Sequence, residues 1–393
     1  MSLQAELIQR HEQALIGNYG KLPVVFVRGD GALLWDAAGR QYLDFFAGFG
    51  GSILGHCHPA LVNAVQRQAQ TLWHVGNQFY SEPQIRLAEQ IVSKSFPGRV
   101  FFCHSGAEAV EAALKLARIS GGPARTRTIA MLQAFHGRTM GALSATAGPA
   151  RNGFTPLLEG FIHVPFNDVA ALEAQMDATV SAVIVEPVQG EGGVNMPSED
   201  YLHQVRRLCD KHGAALIFDE VWTGVGRTGR YFGHQHYGVV PDIMALGKAL
   251  GGGLPVGAIL ARPQWAVFFQ PTTHGCTLGG NPICAAAAAA VFDVLERQNL
   301  IEHARQAGVF LSDAIKNFRC APRRIAQVRG LGLFIGVEMT LPDAAPVVRA
   351  ALDHGLVINA TRKNVLRICP SLVITRPQME QALDILQRAM ESV

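Results

Sequence analysis

The sequence predicts an α/β fold: a large domain with a mostly parallel central sheet flanked by helices, and a smaller α+β domain. Three observations predict it. Short apolar runs alternate with helix-period stretches through the middle of the chain. Most of these runs are continuously apolar, as parallel strands covered on both faces must be. Beyond residue 290 the pattern turns to helices interleaved with strands, the mark of an α+β unit. The expected division is 1–47 as an N-terminal segment packing with the small domain, 48–290 as the large domain, and 291–393 as the small one.

The elements follow in order. Residues 1–45 read as short strands with turns at Gly29-Asp30-Gly31 and Ala38-Gly39. Pro59 starts a helical stretch reaching Gln70. Strands are expected at 100–103, 128–132, 182–186, 215–219, 243–246 and 257–261. Between 186 and 215 the pattern is helical over 198–212 and ends at Gly213, which completes a βαβ unit. A longer helix is expected over 282–297, followed by alternating helices and strands to the end.

The chain has 393 residues, with 34 basic against 31 acidic ones and a net charge of +3, so neither nucleic acid nor a membrane surface is expected as partner. Hydrophobic residues at 49% and charged ones at 17% exclude a disordered chain. Seven scattered cysteines argue against a disulfide framework and for a reducing cytoplasm. The first twenty residues carry acids and amides where a secretory signal needs an apolar stretch. The apolar run at 283–292 is too short to span a bilayer.

Several segments carry chemistry. Ser105-Gly106-Ala107-Glu108 follows a strand and reads as a capping box that opens a helix, with Glu111 and Lys115 as an i,i+4 pair. A helix start at the carboxyl end of a strand is also an anion site, although an ordinary capped helix explains the pattern alone. Asp219 and Glu220 end a buried strand, where open α/β sheets place ligands. Gly224-Val225-Gly226-Arg227-Thr228-Gly229 spells a dinucleotide fingerprint, but no helix pattern follows, so a nicotinamide site is rejected. Lys248 stands in a glycine-rich apolar stretch, where a desolvated lysine is able to form a Schiff base. His56-Cys57-His58 has no second cluster to make a metal site, and His136 is read as a packing or hydrogen-bonding histidine with no proton-transfer role.

In combination, Ser105-Gly106-Ala107-Glu108-Ala109, Phe135-His136-Gly137-Arg138-Thr139, Glu186-Pro187-Val188-Gln189-Gly190-Glu191-Gly192, Asp219-Glu220-Val221, Gly247-Lys248-Ala249 and Thr277-Leu278-Gly279-Gly280-Asn281-Pro282 occur in one order. That order resembles the class III, ornithine-type aminotransferases that depend on pyridoxal 5′-phosphate (PLP), from about Tyr19 to the C-terminus. Leu34-Trp35-Asp36, Gly55-His56-Cys57-His58-Pro59 and Val100-Phe101-Phe102-Cys103 resemble the acetylornithine group of that family.

The resemblance implies a PLP-dependent transferase of fold type I, working as a homodimer with shared active sites. It implies that Lys248 holds PLP covalently and shuttles a proton, and that Asp219 pairs with the pyridine nitrogen. Gly106 and Ala107 would hold the phosphate through backbone N–H groups, helped by Thr277 of the other subunit. Phe135 and Val221 would cover the two ring faces. Arg367 would bind the α-carboxylate and Arg138 the distal end of the substrate. Glu191 would pair with Arg367 when no carboxylate occupies it, Glu220 would fix loop geometry, and Tyr19 would touch substrate.

Three positions depart from the pattern. Trp222 stands where the family commonly has a glutamine bonded to the cofactor's 3′-oxygen. Cys276 replaces the Ser or Thr beside an acylated substrate. Phe49 stands where ornithine enzymes often carry Tyr. The activity implied is transfer of the δ-amino group of N-acetylornithine to 2-oxoglutarate. Alternatives are succinylornithine, ornithine or 4-aminobutyrate as donor, or an aminomutase of the glutamate-1-semialdehyde type. A non-catalytic scaffold has no use for Lys248, Asp219, Arg138 and Arg367 together.

Overall fold

Alternating residues of one strand serve two different helical layers in the central sheet. In β8 (Ala215–Asp219), Ala215 and Ile217 face the helix Gly106–Gly121, whereas Leu216 and Phe218 face the helix Tyr201–His212. The first layer is alanine-rich on both sides: Ala109, Ala112, Ala113 and Ala117 of the helix meet Ala182, Ala215 and Ala245 of the strands. Small side chains bring that helix close to the sheet, and so bring its N-terminus close to the strand ends. The computed structural model describes residues 2–393.

The sheet has seven strands. Labelled along the chain they are β4 (Arg99–Cys103), β5 (Arg127–Met131), β6 (Phe161–Val164), β7 (Val180–Val185), β8, β9 (Ile243–Leu246) and β10 (Gly257–Ala261). Their order is β4-β10-β9-β8-β7-β5-β6. Pairings from β9 to β6 are all parallel, and β10 runs antiparallel to both β4 and β9. Every residue of β7, β8, β9 and β10 is buried.

Two smaller sheets flank it. β1 (Phe26–Asp30), β2 (Leu33–Asp36) and β3 (Gln41–Asp44) form a meander, and β3 pairs in parallel with β13 (Leu356–Val357) from the far end of the chain. β11 (Ile325–Leu331), β12 (Phe334–Met339), β15 (Val365–Ile368) and β14 (Asn359–Arg362) form the other sheet, in that order. The helices Leu300–Lys316 and Arg376–Glu391 contribute buried residues to the same core as β12 and β15.

Four features differ from the sequence reading. A helix spans Leu3–Ala14 without burying a single residue, so it lacks the apolar stripe that would have announced it. β6, four residues long, adds an edge strand that no pattern revealed. Residues 290 and 291 lie inside the helix Pro282–Arg297, so the expected boundary falls within an element. Glu111 does not pair with Lys115: its carboxylate accepts bonds from the Gly141 and Ala142 amides, while Lys115 Nζ lies 2.8 Å from His274 Nδ1. Among the described residues, no helix is long and apolar enough to cross a membrane.

Candidate active site

The carboxyl ends of the parallel strands supply the site, as they do in open α/β sheets. Asp219 closes β8, and Lys248 follows β9 by two residues. Lys248 holds a left-handed backbone at φ 42°, a strained conformation of the kind that collects at functional sites. Its amine reaches a cavity of about 560 Å³ lined also by Tyr19, Phe49, Phe135, Arg138 and Glu191. Desolvation lowers its pKa to about 8, against the opposing pull of Glu191 and Asp219.

Asp219 is held on both oxygens. Oδ2 lies 2.8 Å from His136 Nδ1, and Oδ1 accepts the Val221 amide at 3.0 Å. His136 is thus a hydrogen-bonding histidine, whose ring holds the Asp219 carboxylate. Its own amide donates to Thr146 Oγ1 at 2.9 Å. Glu186, fully buried at the end of β7, accepts amides from Phe135 and Gly190 at 3.1 and 2.9 Å. Burial pushes its carboxyl up to about 7, with Asp219 adding to the rise and His136 opposing it. Glu220 ties down the following loop through the His234 amide and Thr223 hydroxyl, at 2.8 and 3.0 Å.

The helix Gly106–Gly121 starts beside these groups. Ser105 caps it by accepting the Glu108 amide, and Glu108 reaches back to the His104 amide at 2.8 Å and the Ser105 hydroxyl at 3.3 Å, rather than to the Ser105 amide. The amides of Gly106 and Ala107 lie in the first turn, which leaves them without helical acceptors. A Cβ at Gly106 would stand 2.8 Å from both methyls of Val221, so only glycine lets the helix start approach the end of β8. The segment 224–229 opens no helix, and its Arg227 is buried with Nη1 donating to the Leu333 carbonyl at 3.0 Å.

Opposite Lys248 lies a second charged group. Arg367, on β15 and fully buried, pairs with Glu191 at 2.7 Å. Burial pushes the Glu191 carboxyl up, but the Arg367 and Lys248 charges outweigh it and leave it below its ordinary range. Both cations lie over the indole of Trp222, with Arg367 Cζ and Lys248 Nζ each 4.1 Å from its ring centre. Its other support is Phe334, stacked at 5.1 Å and 10°. Gly50 and Gly190 make room for it, since a Cβ on either would come within 2.8 Å of the indole. Arg138 is exposed, its guanidinium 5.3 Å from the centre of the Phe135 ring.

Thus Lys248, Asp219, Val221, Trp222, Gly106, Ala107, Phe135, Glu191, Arg367, Arg138 and Tyr19 gather around one region. Thr277 and Cys276 do not join them. Thr277 is exposed, and Cys276 lines a separate cavity of about 370 Å³ with Asn77, Gln84 and Phe102. Two residues had no assigned role in the sequence reading. His136 gave no signal, because its partner is 83 positions away. Glu186 gave one: like Asp219, it is an acid ending a buried apolar strand.

Residues 16–390 match the class-III aminotransferase family, and the chain belongs to it. An acetylornithine aminotransferase of Caldanaerobacter subterraneus subsp. tengcongensis is 43% identical over 98% of this chain and 100% of its own. An acetylornithine/succinyldiaminopimelate aminotransferase of Yersinia pestis is 42% identical over 97% of this chain and 96% of its own. Among solved structures, the ornithine aminotransferase of Toxoplasma gondii superposes with a TM-score of 0.95 at 34% identity, covering 100% of this chain and 96% of that one.

The cofactor of such an enzyme is PLP, and the residues present fit it. The free first-turn amides suit a phosphate. Trp222 Nε1 and Arg367 Nη2 are buried polar atoms without protein partners, on side chains that adjoin each other next to Lys248. The lysine amine and the fixed Asp219 carboxylate supply the two remaining contacts that such a ring requires.

Proposed function

We propose that the enzyme transfers the δ-amino group of N-acetylornithine to 2-oxoglutarate in a ping-pong cycle, giving N-acetylglutamate semialdehyde and glutamate. The observation that carries this reading is the Glu191–Arg367 pair at 2.7 Å beside Lys248. A donor whose reacting end lacks a carboxylate leaves that pair closed. A 2-oxoglutarate carboxylate takes the place of Glu191 on the guanidinium, which has a spare Nη2 to offer a second bond. One pocket thereby accepts both partners. The acyl group of the donor rests on relatives: proteins named acetylornithine aminotransferase are 42–44% identical to this chain.

When bound, PLP supplies an electron sink for the carbanion formed at the donor carbon. Lys248 anchors it and, with its amine near neutrality, takes and returns the proton at that carbon. Asp219 keeps the pyridine nitrogen protonated, with His136 holding the carboxylate in place. Gly106 and Ala107 bind the phosphate, Phe135 and Val221 enclose the ring, and Trp222 Nε1 donates to the 3′-oxygen. Arg138 binds the far end of the substrate, and Tyr19 closes over it.

A homodimer completes the site, with Thr277 and Cys276 entering from the second subunit. The exposed aromatic surface at Trp73, Phe79 and Tyr80, with Tyr80 94% exposed, is what such a subunit covers. A reducing cytoplasm suits its free cysteines.

The test is an absorbance titration of PLP-loaded protein with N-acetylornithine, ornithine and 4-aminobutyrate in turn. Bleaching of the cofactor band by N-acetylornithine, reversed by 2-oxoglutarate, is the expected result. Bleaching only by another donor replaces the substrate assignment. Turnover without any 2-oxoglutarate replaces transamination by an aminomutase reaction.

A further inference from the structure

We propose that His104, Glu108 and Cys276 form a binding site for a divalent cation of the zinc class. The three come from two remote parts of the chain: His104 follows β4, Glu108 lies in the first turn of the helix Gly106–Gly121, and Cys276 is 172 positions beyond His104. Their ligand atoms all lie within 4.8 Å of one another. Cys276 Sγ is 3.5 and 3.7 Å from the two ring nitrogens of His104, and His104 Nδ1 is 3.1 Å from Glu108 Oε1. Ligands bonded tetrahedrally at about 2.0–2.3 Å from zinc stand roughly 3.3–3.8 Å apart, so a small closure suffices.

The donor set selects the ion. One sulfur, one imidazole nitrogen and one carboxylate oxygen suit zinc, whereas magnesium and calcium prefer oxygen alone. A thiolate and a carboxylate offset the two positive charges, so the occupied site adds no net charge at the helix start, where a bare cation would be disfavoured. On binding, the Cys276 S–H bond breaks, the sulfur bonds the metal, and its proton passes to the buffer. The carboxylate is already oriented, because Glu108 Oε2 accepts the His104 amide at 2.8 Å and the Ser105 hydroxyl at 3.3 Å. The His104 and Glu108 side chains are 36% and 39% exposed in the single chain, which leaves room for a water to complete the coordination. Occupation would tie the loop that carries Thr277 to the helix start that carries Gly106 and Ala107.

The experiment is zinc uptake by the PLP-loaded enzyme, followed by X-ray absorption at the zinc edge. Neither readout depends on the donor or acceptor, so it stands apart from the substrate assignment. After dialysis one zinc per chain is expected, with one sulfur at about 2.3 Å and nitrogen and oxygen ligands at about 2.0–2.2 Å. Cys276→Ser should remove the sulfur shell, and His104→Ala should weaken zinc about 100-fold or more, since even outer partners carry roughly 10–100-fold. The two variants are independent, so poor folding of one leaves the other to decide. Uptake unchanged in His104→Ala, a sulfur shell that survives Cys276→Ser, or wild-type enzyme that retains no zinc would each overturn the proposal.

Discussion

The floor of the cavity and its substrate side satisfy their charges in different ways. On the floor, Asp219 has a partner for each oxygen, and Glu186 and Glu220 are bound by backbone amides. Those partners are buried or half-buried and are fixed in the fold. On the substrate side, Arg367 has one carboxylate partner, itself partly exposed, and one nitrogen with none. Arg138 faces solvent. The floor is preorganised for one permanent occupant. The substrate side is exchangeable, because a carboxylate arriving from solution is able to replace Glu191 without leaving a buried charge alone.

The largest effect should come from the floor. Lys248→Ala is expected to lower turnover by about 10⁴-fold or more with the fold intact, as loss of a covalent catalytic group does. Steady-state transamination together with circular dichroism checks it, and substantial residual activity would break the assignment. Asp219→Asn should lower kcat by about 10²–10³-fold, the range for one preorganised electrostatic group. Because it touches the floor alone, both half-reactions should slow alike in stopped-flow measurements.

Arg367→Ala should separate the two regions. A lost charged hydrogen-bond pair is equivalent to about 100-fold in kcat/KM for 2-oxoglutarate. The donor half-reaction, which leaves Arg367 with Glu191, should lose much less, and equal losses would erase the distinction drawn here. The pH dependence comes next. Burial favours the neutral form of Lys248 and brings its pKa to about 8. The amine that attacks added PLP is therefore available above that pH and is lost below it. Cofactor uptake by the stripped enzyme should slow about tenfold per pH unit below 8 and level off above, because protonation removes the nucleophile. A rate still climbing at pH 10 would contradict the shift.

The smallest effect belongs to Trp222→Phe, which keeps the stack on Phe334 and removes only the indole N–H. One neutral hydrogen bond is worth about 1 kcal/mol, so PLP should bind about fivefold less tightly. Fluorescence or dialysis measures this directly. An unchanged affinity would mean that Nε1 has no partner in the loaded enzyme.

What the sequence revealed divides along physical lines. β8, β9 and β10 were legible at both ends, because buried parallel strands are continuous apolar runs bounded by polar or glycine-rich turns. The positions of Asp219 and Lys248 were legible because the first closes such a run and the second follows one by two residues. The Asp219–His136 pair was not, since nothing local to Phe135-His136-Gly137 says what lies 83 positions on. The Leu3–Ala14 helix buries nothing and so left no period to read. Glu111 chose two amides over Lys115 because tertiary contacts outbid a surface pair worth a few tenths of a kcal/mol. The position of Trp222 against two cations depended on Gly50 and Gly190, whose roles appear only once the chain is folded.

That indole has an optical consequence. The chain holds four tryptophans, and Trp222 has its ring centre 4.1 Å from Lys248 Nζ. With PLP on Lys248, as proposed, the cofactor would lie close enough to that indole to quench its emission, so loading of the enzyme would be readable as a dimming of its tryptophan fluorescence, without any label.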